Sequence, residues 1–379
     1  MTTTASHGKR IIELESIRGI AALLVVLLHL SWWNAGIYGI GLIKNSYLMV
    51  EVFFVLSGFV IFRAYSRSIM TPGELARFQF LRWGRLYPVH CFFLAVFLGI
   101  EILKYIATTR FGINSPNSVP FRENNLTAFI EQLFLIQAIG PTGNMLTFNF
   151  PAWSISVEFY TYVLFGITSL VAQRKAIVVF AGFSAVSFVF LSLDILPGFH
   201  ELLRCTSGFF LGCVTAAIVA AARFTVPPLA TTTTLFILFT FLQWKPFLQF
   251  DEAISLLTSV LIACVVRSDR GMARAFLGSP FLVWLGTISY SVYMANGAIV
   301  WTISQVLRLV LKRPELVVEG RLTPQLSIPE TLLTYAIAIP IILAVAQITY
   351  WLIEKPLRER SRAFAAAHFG GVPPLKDHR

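Results

Sequence analysis

The feature that most constrains this chain is a succession of apolar runs, each near the length of a membrane-crossing helix and separated by short polar breaks. They fall at about 17–36, 47–63, 88–107, 152–172, 176–193, 202–222, 229–244, 253–266, 281–307 and 331–353. A helix needs roughly 20 apolar residues to cross a hydrocarbon layer about 30 Å thick. The 379 residues hold ten such runs with their loops. Hydrophobic residues make up 56% of the chain and charged residues 13%, with a mean hydropathy of +0.73. No polar stretch is left for a separate soluble domain. The expected fold is therefore all-α, a polytopic transmembrane bundle of about ten spans, with residues 1–362 forming the membrane domain and 363–379 a short cytoplasmic tail. No small-residue cleavage site follows the first run, so that run reads as a retained helix and not a secretion signal.

Charge gives the spans a direction. With the N-terminus in the cytoplasm and ten spans, 19 basic residues lie inside, among them Lys9, Arg10, Arg63, Arg67, Arg77, Arg223, Lys376 and Arg379, against 10 outside. This asymmetry favours both termini in the cytoplasm, and it accounts for the net charge of +11 without nucleic acid as a partner. A shorter run at about 126–139 carries Glu131 and ends at Gly140-Pro141, which suits an interfacial or re-entrant segment better than a span. Eleven spans remain possible if a further break lies within 281–307. The external stretch of about 108–151 is long enough to suggest a functional loop. Cys91, Cys205, Cys213 and Cys264 fall in or beside apolar runs without metal-type spacing, so they read as buried thiols, and no metal site is expected.

Within this frame the polar residues of the spans stand out. Arg18 and His29 are eleven residues apart in SIRGIAALLVVLLHLSW. Eleven helical residues advance about 1100°, only about 20° past three turns, and rise about 16 Å. One helix face thus aligns a cation near the inner side of the membrane with a base toward the outer side. Ionisable groups in a span are costly and usually face a cavity or pathway. Glu51 in SYLMVEVFFVLSGF and Glu158 in PAWSISVEFYTY lie one to two turns from the outer ends of their spans. The expected site joins His29 to these two carboxylates, one of which would orient the imidazole for taking a proton from a hydroxyl. Trp153, Ser154 and Ser156 are the expected substrate contacts. The plainer alternatives are an interhelical hydrogen bond for His29 and a structural ion pair with a lysine or arginine for Glu51.

On the inner side, Arg82 and Arg85 of RFQFLRWGRLYPVH are three apart, so they share a helical turn. Paired guanidinium groups suit phosphate, although ordinary headgroup anchoring is the competing explanation. With Arg18 at the same depth, a phosphorylated donor held inside would point its reactive end along the first span toward His29.

At these residues the chain resembles the acyltransferase-3 family of integral-membrane O-acyltransferases. The matching segments are ESIRGIAALLVVLLHL, VEVFFVLSGFVI, FLRWGRLYP, PAWSISVEFY, LGTISYSVYM and YWLIEKPLR, in order over about residues 10–362. The resemblance implies a stand-alone enzyme of the bacterial inner membrane that moves an acyl group, usually acetyl, from acyl-CoA as co-substrate to a hydroxyl of a surface glycan, glycolipid or similar acceptor. Carried over by position, His29 is the base and Arg18 its motif partner, Arg82 and Arg85 meet the CoA phosphates, and Glu51 and Glu158 support the outer site. One departure is Asn296, where the family often has histidine after the SYSVYM segment. An amide cannot carry a proton at neutral pH, so that position is not expected to serve as an acid or base. The rival reading is a proton-coupled transporter or flippase of a lipid-linked or anionic compound. It lacks the inverted repeats that many transporters show.

Overall fold

The computed structural model describes residues 11–140, 142–222, 225–245 and 251–369. Lys9, Arg10, Arg223, Lys376 and Arg379, counted in the charge asymmetry, lie outside the described residues, as does most of the expected tail 363–379. The described chain is almost entirely helical, as the apolar runs dictate. In chain order the main helices are α1 (Ile12–Ser31), α2 (Met49–Tyr65), α3 (Pro72–Phe111), α4 (Leu126–Leu133), α5 (Trp153–Ala172), α6 (Ala176–Ser192) and α7 (His200–Ala221). They are followed by α8 (Pro228–Trp244), α9 (Ala253–Arg267), α10 (Pro280–Thr287), α11 (Ser289–Gln305), α12 (Ile328–Thr349) and α13 (Lys355–His368). Six helical stretches are long and apolar enough to cross a membrane, and α8 and α9 are shorter apolar helices. The sheet among the described residues is one antiparallel hairpin, β1 (Glu315–Val318) with β2 (Arg321–Pro324).

One local feature differs from the sequence expectation, and a second falls where that expectation is left open. The helix that carries the third apolar run does not begin at Pro88. A capping box formed by Thr71 and Glu74, with Pro72 in the first turn, starts α3 sixteen residues earlier, and Pro88 sits inside a 40-residue helix. Arg82 and Arg85 therefore belong to the same rigid rod as the span. The 281–307 run does contain a break, at Ile288 between α10 and α11. With eight residues each, α4 and α10 reach only about 12 Å, too short to cross. The 126–139 run is thus not a span.

The helices that carry the polar residues are gripped backbone to backbone. A Cβ on Gly58 of α2 would overlap the Phe209 carbonyl of α7, and one on Gly212 of α7 would overlap the Val55 carbonyl. Without a hydrophobic drive between helices in lipid, such small-residue contacts supply the association through packing. The same device holds α1. A Cβ on Gly19 would come within 2.6 Å of the Gly286 amide of α10, and one on Gly286 would overlap the Glu15 carbonyl. At the opposite end of the bundle the 112–125 segment is tied down by buried Glu101. This carboxylate accepts from Lys104 (2.6 Å), from the Asn124 amide (2.7 Å) and from the Phe121 backbone N–H (3.1 Å). Asn117 pairs in both directions with the Leu322 backbone, joining the segment to the hairpin.

Candidate active site

The two ends of α1 meet different surroundings. At the N-terminal end, Arg18 lines a cavity of about 80 Å³ with Arg82 and Arg85 of α3. Arg18 also lies 3.9 Å from Glu15, one turn back on its own helix. Arg82 donates to the Tyr65 hydroxyl (3.1 Å) and covers the Tyr65 and Phe78 rings at 5.2 and 5.8 Å, which fixes its long side chain. The three guanidinium groups expected from separate motifs thus do converge, and the one carboxylate on the cavity wall is Glu158. Glu158 accepts from Tyr162 (2.6 Å), whose hydroxyl also pairs with Ser57 (2.7 Å). The cavity wall itself carries three guanidinium groups and one carboxylate, with Glu15 beside Arg18, and this positive excess suits an anion.

The last two motifs buttress this wall. Ser291 of the SYSVYM segment donates to Glu354 of YWLIEKPLR (2.7 Å), and Tyr290 donates to the Leu86 carbonyl beside Arg85 (2.6 Å). From the arginines the cavity runs along α2 past Ser57 to Val50, and it ends at Ser154 and Tyr293. These two hydroxyls pair at 3.0 Å, and Tyr293 also donates to the Pro151 carbonyl (2.9 Å).

His29 lies beyond that end. Its Nδ1 is 2.7 Å from Asn296 Oδ1 on α11. Asn296 is itself fixed, because its Nδ2 is 2.6 Å from the Tyr293 carbonyl, a pure acceptor. The NH₂ group must face that carbonyl, so the amide oxygen faces the imidazole. His29 Nδ1 therefore carries the proton in the neutral ring, and Nε2 holds the lone pair. This is the tautomer a general base needs, and it is set by a neutral amide. The Phe150 and Trp32 rings pack on the imidazole, with centroids at 4.7 and 5.3 Å.

The expected carboxylate partners of His29 are elsewhere. Glu51 is 2% exposed and accepts from Arg204 Nε of α7 (2.6 Å), while Glu201 accepts from the same guanidinium (2.6 Å). The structural ion pair weighed as the alternative for Glu51 is the observed one, because parallel packing of α2 on α7 sets the two residues at one depth. Glu158 is turned to the arginine cavity with Tyr162, one turn further along α5. Of the expected substrate contacts, Trp153 lies under the Arg204 guanidinium at 5.1 Å, Ser154 is at the end of the cavity, and Ser156 donates to the Leu135 carbonyl. Arg204 was missed from sequence although it had a signal, since it is a charge within an apolar run and such charges pair.

Comparison with known proteins matches the same stretch of the chain. The acyltransferase-domain family model matches residues 11–351. The chain belongs to the acyltransferase-3 family. Protein 2 in the picA locus of Rhizobium radiobacter is 29% identical over 191 residues, covering 48% of this chain and 94% of the relative. YrhL of Bacillus subtilis (strain 168), provisionally named a peptidoglycan O-acetyltransferase, is 23% identical over 405 residues, covering 96% of this chain. A Staphylococcus aureus (strain COL) protein, provisionally named an O-acetyltransferase, is 22% identical over 381 residues, covering 91% of this chain. The chain spans 57% of the length of each of the latter two relatives. No solved structure matches. As a member of this family the chain is a membrane acyltransferase.

Proposed function

We propose that this acyltransferase uses cytoplasmic acyl-CoA, acetyl-CoA first, to acylate a hydroxyl of a surface glycan or glycolipid. The observation that carries this reading is the cavity with Arg18, Arg82 and Arg85 at one end and Ser154 and Tyr293 at the other. That far end is three residues, about 4.5 Å along the helix axis, from Asn296, the partner of His29. The arginine end faces the cytoplasm of a bacterial inner membrane crossed about ten times, with both termini inside. Guanidinium groups there hold the phosphates of CoA by paired charge-assisted hydrogen bonds. The pantetheine arm extends along α2 toward Tyr293.

The acceptor approaches from the other side of the membrane. Its hydroxyl gives a proton to His29 Nε2 as the oxygen attacks the thioester carbonyl. The tetrahedral centre collapses with cleavage of the carbon–sulfur bond, and the CoA thiolate leaves and takes up the proton released by His29, which returns the imidazole to its neutral form. Asn296 keeps the proton of the neutral ring on Nδ1 throughout and accepts its hydrogen bond when the ring becomes charged.

The test is thiol release from acetyl-CoA by the purified protein in detergent, with muramidase-released peptidoglycan fragments as acceptor and His29→Ala beside wild type. Acceptor-dependent release that disappears in a folded His29→Ala protein supports the reading. A folded wild-type protein that consumes neither acetyl-CoA nor longer acyl-CoAs would instead favour the transporter reading.

A further inference from the structure

The acceptor side of this site has a composition of its own. His29, Trp32 and Phe150 form a triangle of rings, with Trp32 and Phe150 centroids 6.2 Å apart and the imidazole against both. The imidazole is buried, whereas Trp32 and Phe150, which pack against it, are half-buried and so remain partly accessible. Beside Phe150, Asn149 is 1% exposed. Its Nδ2 donates to the Met294 carbonyl (3.1 Å), which fixes the amide orientation as it does for Asn296. Asn149 Oδ1 is buried and has no hydrogen-bond partner, and a buried acceptor left unpaired is costly. Gly297 of α11 packs directly against it. A Cβ there would lie 2.9 Å from Asn149 Oδ1 and 3.2 Å from the Phe150 ring.

We infer that Trp32, Phe150 and Asn149 form the acceptor subsite, and that it takes a pyranose ring. This rests on the reading of His29 as the base. A pyranose has an apolar C–H face and a rim of hydroxyls. The electron-rich face of an aromatic ring suits the first, and a lone buried acceptor suits one of the second. Few convergent polar groups among aromatic walls are the usual build of a specific small-ligand site. The ring stacks on Trp32 and Phe150, one hydroxyl donates to Asn149 Oδ1, and a neighbouring hydroxyl is presented to His29 Nε2. Asn149 is a positioning residue in this account and takes no part in proton transfer.

The experiment is steady-state acetyl transfer by the full-length protein from acetyl-CoA, with peptidoglycan disaccharide fragments as the sugar acceptor and glycerol as a non-sugar hydroxyl. Trp32→Ala and Asn149→Ala should each raise KM for the disaccharide about tenfold, equivalent to about 1.4 kcal/mol, while KM for acetyl-CoA stays within about twofold. Trp32→Phe should restore most of the loss, because it keeps an aromatic face. Gly297→Ala, whose Cβ would press on Asn149 Oδ1 and the Phe150 ring, should raise the disaccharide KM in the same way. Unchanged KM values in these variants, or equal losses toward glycerol and disaccharide, would overturn the subsite. So would a wild-type protein that turns over acetyl-CoA but acetylates no sugar. A wild-type protein without any thiol release would instead remove the reading of His29 on which the subsite rests.

Discussion

At Arg18, α1 faces a cavity governed by full charges; eleven residues on, at His29, the same face meets a neutral amide and two aromatic rings. Both ends are built by the same local rule, since the helical repeat puts the two side chains on one face. Their surroundings come from different partners. The arginine end is assembled from α1, α3 and α5, and the histidine end from α11 and the segment before α5. The difference teaches that charge and base strength are managed separately along one rod. Phosphate recognition needs several cations together, whereas a base among buried rings works best as a neutral imidazole of one defined tautomer.

The strongest way to break this comparison is to remove the base. His29→Ala should lower kcat at least about a hundredfold, the low end for general-base catalysis, and leave KM for acetyl-CoA unchanged. Steady-state kinetics in detergent check both parameters. A loss confined to KM would make the histidine a binding group like the arginines.

A test of comparable size addresses the third polar centre, the pair that draws Glu51 away from His29. Arg204→Met leaves Glu51 buried without its partner and should destabilise the protein by about 3–5 kcal/mol, read from denaturant or thermal unfolding in detergent. Adding Glu51→Gln should recover part of that loss. Full stability of the single variant would mean that the pair is not structural.

The complementary test at the cavity end is Arg82→Ala with Arg85→Ala. Loss of charge-assisted contacts should raise KM for acetyl-CoA by roughly ten- to a hundredfold, with kcat held within a few fold. Arg85→Lys should rescue little, because an ammonium cannot make the paired contacts of a guanidinium. An unchanged KM would reduce the cluster to an anchor for lipid headgroups.

The smallest effect sharpens the histidine end. Asn296→Leu keeps the volume and removes the group that fixes the tautomer, and it should lower kcat about tenfold, the scale of one lost hydrogen bond. Asn296→Asp distinguishes orientation from polarity, because a carboxylate there also accepts from Nδ1 and should retain more activity than leucine. Equal losses in the two variants would indicate that Asn296 acts through packing alone.

Much of the architecture was legible in the chain because it follows from local rules. Apolar run length sets helix class, helical phase aligns Arg18 with His29, and spacing puts Arg82 and Arg85 on one turn. The convergence of these arginines on one cavity needed only that all three sit near the same end of their helices. What failed were pairings between distant segments. Glu51 meets Arg204 153 residues away, and His29 meets Asn296 267 residues away. Depth in the membrane was a poor guide to either partner, because helices at one depth present different faces and only tertiary packing chooses among them. Pro88 misled for a related reason: a proline that usually marks a helix start is carried inside α3 once a strong cap begins the helix upstream.

The most direct test of the division of labour along α1 separates binding from chemistry in one pair of variants set beside wild type. Binding of acetyl-CoA is measured by calorimetry in detergent for wild type, His29→Ala and the Arg82→Ala, Arg85→Ala double variant, beside acetyl transfer by the same preparations. The account predicts that His29→Ala binds acetyl-CoA as wild type does and transfers nothing, while the double variant loses affinity and still transfers at saturating donor. Loss of acetyl-CoA binding in His29→Ala, or unaltered binding in the double variant, would contradict it.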